Sequence, residues 1–140
     1  MSIQSKRAIV FLFMSSVIGL ASTNSFGANL NLDEAAKQIV QQYNVNASRM
    51  TDNFTISSSA TSIGKNVIFS YILAVRPSTQ KNRINQFVSE WKADMIPKVC
   101  QVNANDEAFR QGLYYTFAYF DGSQNKITQF SVNRDTCMKR

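Results

Sequence analysis

The chain holds two cysteines, Cys100 and Cys137, and the segment between them reads as a short helix followed by a β-hairpin. The stretch GLYYTFAYFDGSQNKITQFSVNRDTC begins one strand after Gly112, turns at Asp121-Gly122 and closes the next strand at Cys137. Two cysteines in a small exported chain are read as one disulfide. The link pins the end of a long helix, at Cys100, to the C-terminal strand. Closing a loop of that length is worth roughly 3–4 kcal/mol in the chain-entropy model. A redox-active or metal-binding thiol pair is the alternative, and it lacks both a Cys-x-x-Cys motif and a histidine.

Export is read from the first 27 residues. Lys6 and Arg7 form a basic start, Ala8–Ala21 is apolar and uncharged, and a polar stretch of small residues follows, the layout of a secretory signal peptide. Cleavage after Gly27 places Ser25 and Gly27 at the two small-residue positions, whereas a cut after Ala28 places Phe26 there. The apolar run is shorter than the roughly 20 residues a membrane-spanning helix needs. The expected mature chain is 28–140, the length of one domain. Removing Lys6 and Arg7 from the 15 basic residues leaves 13 against 9 acidic ones, a net charge of +4. The densest basic cluster is Lys139-Arg140, preceded by Arg134. No continuous basic stripe of the kind that tracks nucleic acid is present, and membrane contact is expected to be peripheral at most.

Periodicity supplies the elements. Asn31-Leu32-Asp33-Glu34 has capping-box spacing, and Leu32, Ala35, Ala36, Ile39, Val40 and Tyr43 form one face of a helix over 31–44, with Asn44 as its stop. Phe54 and Ile56 mark a short half-buried strand. After the turn Gly64-Lys65-Asn66, the residues Val67, Phe69, Tyr71, Leu73 and Val75 alternate towards the core. Ser78 caps a second helix whose stripe is Ile84, Phe87, Val88, Trp91 and Met95, and Pro97 is expected to end or kink it. A helical turn over Asp106–Gln111, capped by Asn105, stops at Gly112. In the next strand Leu113, Tyr115, Phe117 and Tyr119 point inward, and Phe130 and Val132 face them across the turn. The order α-β-β-α-β-β predicts an α+β fold: one four-stranded antiparallel sheet with helices packed on one face.

The absence of histidine removes Ser-His-Asp and Cys-His catalysis and the usual zinc and copper sites. Asp33-Glu34 and Asp106-Glu107 fall in helix first turns, where they serve the dipole. No motif points to a glycosidase-type carboxylate pair, a Ser-Lys dyad or a glycine-rich phosphate loop. Neither a cofactor, a metal nor enzymatic activity is expected. Asp121-Gly122 is read as turn chemistry. Asn46-Ala47-Ser48 and Asn53-Phe54-Thr55 match the glycosylation acceptor pattern, which matters in a eukaryotic source alone.

The aromatic residues Tyr114, Phe120 and Tyr71 have two readings: core and cover by Phe109 or the chain's polar loop, or an aromatic docking surface. Tyr114 and Phe120 alternate away from the core, and with Tyr71 they are the expected partner-binding residues of an aromatic docking surface.

The pattern Gly64-x-x-Val67-x-Phe69-x-Tyr71, Cys100, Gly112-x-Tyr114-Tyr115-x-Phe117-x-Tyr119-x-Asp121-Gly122, Phe130-x-Val132 and Cys137 resembles a broad class of small exported bacterial proteins. These share the helix, hairpin, helix, hairpin rhythm, the paired cysteines and an aromatic strand ending in an Asp-Gly turn. The likeness covers about residues 50–137. It implies the fold and a Gram-negative periplasm, with secretion as the second choice, and it transfers no catalytic residue.

The expectation is therefore a non-catalytic periplasmic accessory factor that binds another protein of an envelope or secretion assembly. The alternative is an inhibitor or immunity protein that neutralises a toxic enzyme.

Overall fold

The computed structural model describes residues 30–47, 54–76 and 81–139. The leader, its cut site and the Ser78 cap lie outside them. The elements are α1 (Leu32–Asn46), β1 (Thr55–Ile63), β2 (Asn66–Leu73), α2 (Lys81–Val102), α3 (Glu107–Arg110), β3 (Tyr114–Phe120), β4 (Lys126–Val132) and α4 (Arg134–Met138). They build an α+β fold around a four-stranded sheet of order β1-β2-β3-β4.

The sheet is mixed, which corrects the expectation of a wholly antiparallel one. Both hairpins are antiparallel, but β2 and β3 run parallel, with Val67 opposite Tyr115, Phe69 opposite Phe117 and Tyr71 opposite Tyr119. Each tight turn fixes only the pairing inside its own hairpin. The long connection through α2 lets the chain cross back and enter β3 in the direction of β2, the usual route to a parallel pair.

Alternation then places one face of both central strands in the core. Val67, Phe69, Tyr71, Leu73, Tyr115, Phe117 and Tyr119 are all buried. Their rings stack across the strands: Phe69–Phe117 at 5.5 Å, Tyr71–Tyr119 at 5.1 Å and Phe117–Phe130 at 5.4 Å between centroids. Both long helices pack on this face. Tyr43 of α1 meets Phe69 at 4.8 Å, and Trp91 of α2 meets Tyr119 at 4.7 Å.

Local differences from the sequence reading have physical causes. β1 spans nine residues rather than a short run at Phe54 and Ile56, because its serines and threonines lack the apolar alternation that marks a strand. A register shift between Thr55 and Ser57 turns Ile56 outward, and the buried residues are Thr55 and Ala60. α2 continues through Pro97 to Val102. Trp91, Met95 and Val99 are buried four residues apart on one stripe, so packing holds the turn beyond the proline.

The cap of α3 is Asp106, whose Oδ1 accepts from Phe109 N at 2.9 Å. Cys137 lies on α4 rather than at the end of a strand; Asn133 caps that helix by accepting from Thr136 N at 2.7 Å. Gly64 takes φ +58 at the first turn position of β1–β2, the glycine site of a type II′ hairpin. In the β3–β4 turn the positive φ belongs to Gln124 rather than Gly122. Gly122 serves close approach instead: its N–H donates to Val75 O at 2.9 Å, and an added Cβ would sit 3.5 Å from that oxygen.

Candidate functional site

Tyr114 and Phe120 occupy the two ends of β3, half-buried on the sheet face turned away from the helices. Six residue steps along the strand separate them by roughly 20 Å. Ile68 and Ile72 lie on the same face, and the two long helices pack on the opposite one. Its middle mixes polar and apolar groups: Thr116 and Ala118 are both buried there. Thr116 Oγ1 donates to Asn66 Oδ1 at 2.9 Å and shares a 2.8 Å hydrogen bond with Ser131 Oγ. The face is therefore two apolar ends joined by a hydroxyl ladder, not one continuous aromatic patch.

Tyr71 is not part of it. At 1% exposure it lies on the core face against Tyr119, and burial holds its hydroxyl well above the ordinary tyrosine range. This corrects its expected place on a docking surface: the pleat that sends Ile72 outward sends Tyr71 inward.

The disulfide end of the molecule carries a second constellation. Cys100, in the last turn of α2, is bonded to Cys137 of α4, with the Cα atoms 5.5 Å apart. Beside the bond lies a groove of about 390 Å³, lined by Pro97, Asn103, Phe109 and Met138 with Arg110 and Arg134. A polar recess of about 300 Å³ adjoins it, holding Lys65, Gln111, Tyr114, Asn133 and Asp135. Arg134 lines both.

Several short-range features position these side chains. The Asn133 cap starts α4 and so places Arg134 in its first turn. Arg134 Nη1 donates to Arg110 O at 2.9 Å, and its Nε lies 3.8 Å from Asp135 Oδ1. Arg110 Nη1 lies 3.8 Å from Glu107 Oε2. Lys65 is held in the β1–β2 turn, where its carbonyl accepts from Tyr114 N at 3.2 Å. Asn103 is fully buried: its Nδ2 donates to Val99 O at 2.8 Å, and its Oδ1 has no hydrogen-bond partner. Chemically this end offers exposed cations, of which Arg134 is held by a hydrogen bond, beside apolar surface, an arrangement that suits an anion. Among the described residues no group of three His, Cys, Asp or Glu side chains is placed to hold a metal ion.

Of the three expected residues, Tyr114 lines the polar recess. The arginine pair was not singled out by sequence, although Arg134 stands in the basic tail. The signal that was available is Asn133-x-x-Thr136, a capping pattern that starts a helix at Arg134.

No family model matches the chain, and no curated protein matches it in sequence. The fold is similar to that of a protein of Pseudomonas aeruginosa described as a candidate secreted protein, known from a 1.60 Å crystal structure. The TM-score is 0.63 at 13% identity, over 79% of this chain and 99% of that one. At that identity the likeness is one of fold.

Proposed function

We propose that this chain is an exported, non-catalytic domain that works by binding another protein, as an accessory factor of a bacterial envelope or secretion assembly. The observation that carries the reading is the second face of the sheet. Neither long helix packs on it, and it presents Ile68, Ile72, Tyr114 and Phe120, all half-buried. Branched and aromatic side chains on a sheet face turned away from the main helices are what a protein partner buries.

Export is supported by the leader in the sequence, by the Cys100–Cys137 disulfide, a bond that persists in oxidising compartments, and by the fold likeness to a candidate secreted protein. The non-catalytic reading is supported by the lack of histidine and of any recognisable nucleophile–base motif.

Affinity capture from a periplasmic extract tests the proposal, with the disulfide-bonded protein compared against Tyr114→Ala and Phe120→Ala. The expected result is one specific protein retained by the parent and lost from both folded variants. Retention by both variants would remove the second face from consideration.

A further inference from the structure

We propose that the groove beside the Cys100–Cys137 disulfide recognises a peptide segment in which a carboxylate neighbours an apolar side chain, with Arg134 taking the carboxylate. The proposal rests on the reading of the chain as a protein-binding domain and adds the chemistry of the bound segment.

Charge points to the carboxylate. Arg110 and Arg134 line the groove, Lys65 joins Arg134 in the adjoining recess, and Lys139 follows at the C-cap of α4. Glu107 and Asp135 each lie 3.8 Å from their arginine, and the four side chains are 41–69% exposed; Asp33 lies beside Gly64, next to Lys65. Ion pairs that long and that exposed contribute roughly 0–1 kcal/mol, so an incoming carboxylate can displace them. Lys65 has no ion pair among the described residues. Arg134 is also pre-set: its bond to Arg110 O fixes the guanidinium while other N–H donors stay available. A held planar fork is the geometry that binds a carboxylate through two hydrogen bonds.

The neighbouring surface calls for an apolar side chain. Met138 is 74% exposed on a short helix with no buried residue, and it borders Pro97 and the disulfide in the same groove. A flexible thioether adapts to varied apolar groups. A peptide rather than a lipid carboxylate follows from the protein-binding reading, and lipid binding is an outcome of the test. The β1 edge of the sheet is a weaker place for a peptide, because Asn44 already occupies both backbone groups of Ala60.

The test is a nuclear magnetic resonance titration of the ¹⁵N-labelled, disulfide-bonded protein. The probe is an acetylated, amidated hexapeptide alternating leucine and glutamate, compared with its leucine–glutamine counterpart. The expected result is shifts centred on Asn103, Arg134 and Met138, with the glutamate peptide binding at least about tenfold more tightly and weakening as salt rises. Arg134→Gln and Lys65→Gln should each reduce that affinity about fivefold or more. Lys65→Gln is the control for folding, since the Lys65 side chain makes no hydrogen bond among the described residues. Equal binding of both peptides, shifts centred elsewhere, no binding at millimolar peptide, or unchanged affinity in both variants would overturn the proposal. So would Arg134-dependent binding to phosphatidylglycerol vesicles without peptide binding. If Phe120→Ala loses the captured partner while the groove variants keep it and ignore the peptide, this inference fails and the protein-binding function stands.

Discussion

The side chain of Asn44 binds both backbone groups of Ala60: Nδ2 donates to Ala60 O at 2.9 Å, and Oδ1 accepts from Ala60 N at 2.8 Å. β1 is an edge strand, and an open edge is a template for unwanted pairing. The amide of Asn44 stands in for a neighbouring strand and closes the edge at its middle. It also ties α1 to the sheet.

Asn44→Ala should therefore leave two backbone groups without partners and cost about 1–3 kcal/mol in urea denaturation. Hydrogen exchange at the Ala60 amide should accelerate by more than exchange at Val67 or Phe117. Unchanged protection at Ala60 would mean that water or another side chain replaces the amide at no cost.

Cys137→Ser should lower stability by about 2–4 kcal/mol, since the bond closes a separation of 37 residues. The loss should be local first. None of the five residues of α4 is buried, so the helix depends on its staple and on the Arg134–Arg110 bond. In the reduced protein, amides 134–139 should lose protection while the sheet keeps its own. Uniform loss across the molecule would contradict a local role.

Tyr119 and Phe120 are sequence neighbours with opposite surroundings. Tyr119 is 5% exposed and packs on Tyr71 and Trp91, so Tyr119→Ala should cost about 3–5 kcal/mol. Phe120 is half-buried on the second face, and Phe120→Ala should keep the fold at a cost of about 1–2 kcal/mol. Equal costs in thermal or chemical melts would make Phe120 a core residue and remove it from the docking face.

Asp121 adds a pH dependence. Its Oδ1 accepts from the N–H groups of Asn125 and Ser123, both at 2.9 Å, and its Oδ2 accepts from Asn125 Nδ2 at 3.3 Å. The Asn125 backbone bond, assisted by the other two, holds the carboxyl below its ordinary 3.8. A carboxylate whose folded-state pKa is depressed contributes its stability in full above the unfolded value, and the contribution disappears as pH falls through the lowered one. Melting temperature should thus drop from about pH 4 downward, and Asp121→Asn should flatten that part of the curve. An identical slope in the variant would show that other carboxylates set the acid limit.

Much of the fold is legible before any coordinates are considered. Val67, Phe69 and Tyr71 alternate, as do Tyr115, Phe117 and Tyr119, so the pleat alone assigns them to a buried face. The stripe of α1 and its Asn31 cap are equally local, and Asn31 Oδ1 does accept from Glu34 N at 3.1 Å. The cysteine count leads to the bond between Cys100 and Cys137. The polar β1 and the short α4 are harder, because serines give no hydrophobic period and five residues give no stripe.

The candidate site was less legible than the fold. Tyr114 and Phe120 follow from alternation, but Arg134, Arg110 and Lys65 come from three separate elements and meet only once those elements pack. The reason is range. The strand faces and the Asn31 cap depend on residues within a few positions of one another, so they are legible before the chain folds. The parallel pairing of β2 with β3, the bond between Asn44 and Ala60 and the cations beside the disulfide join residues 16 to 69 positions apart. Only tertiary structure decides such contacts, because their free energy exists only after the chain between them has closed.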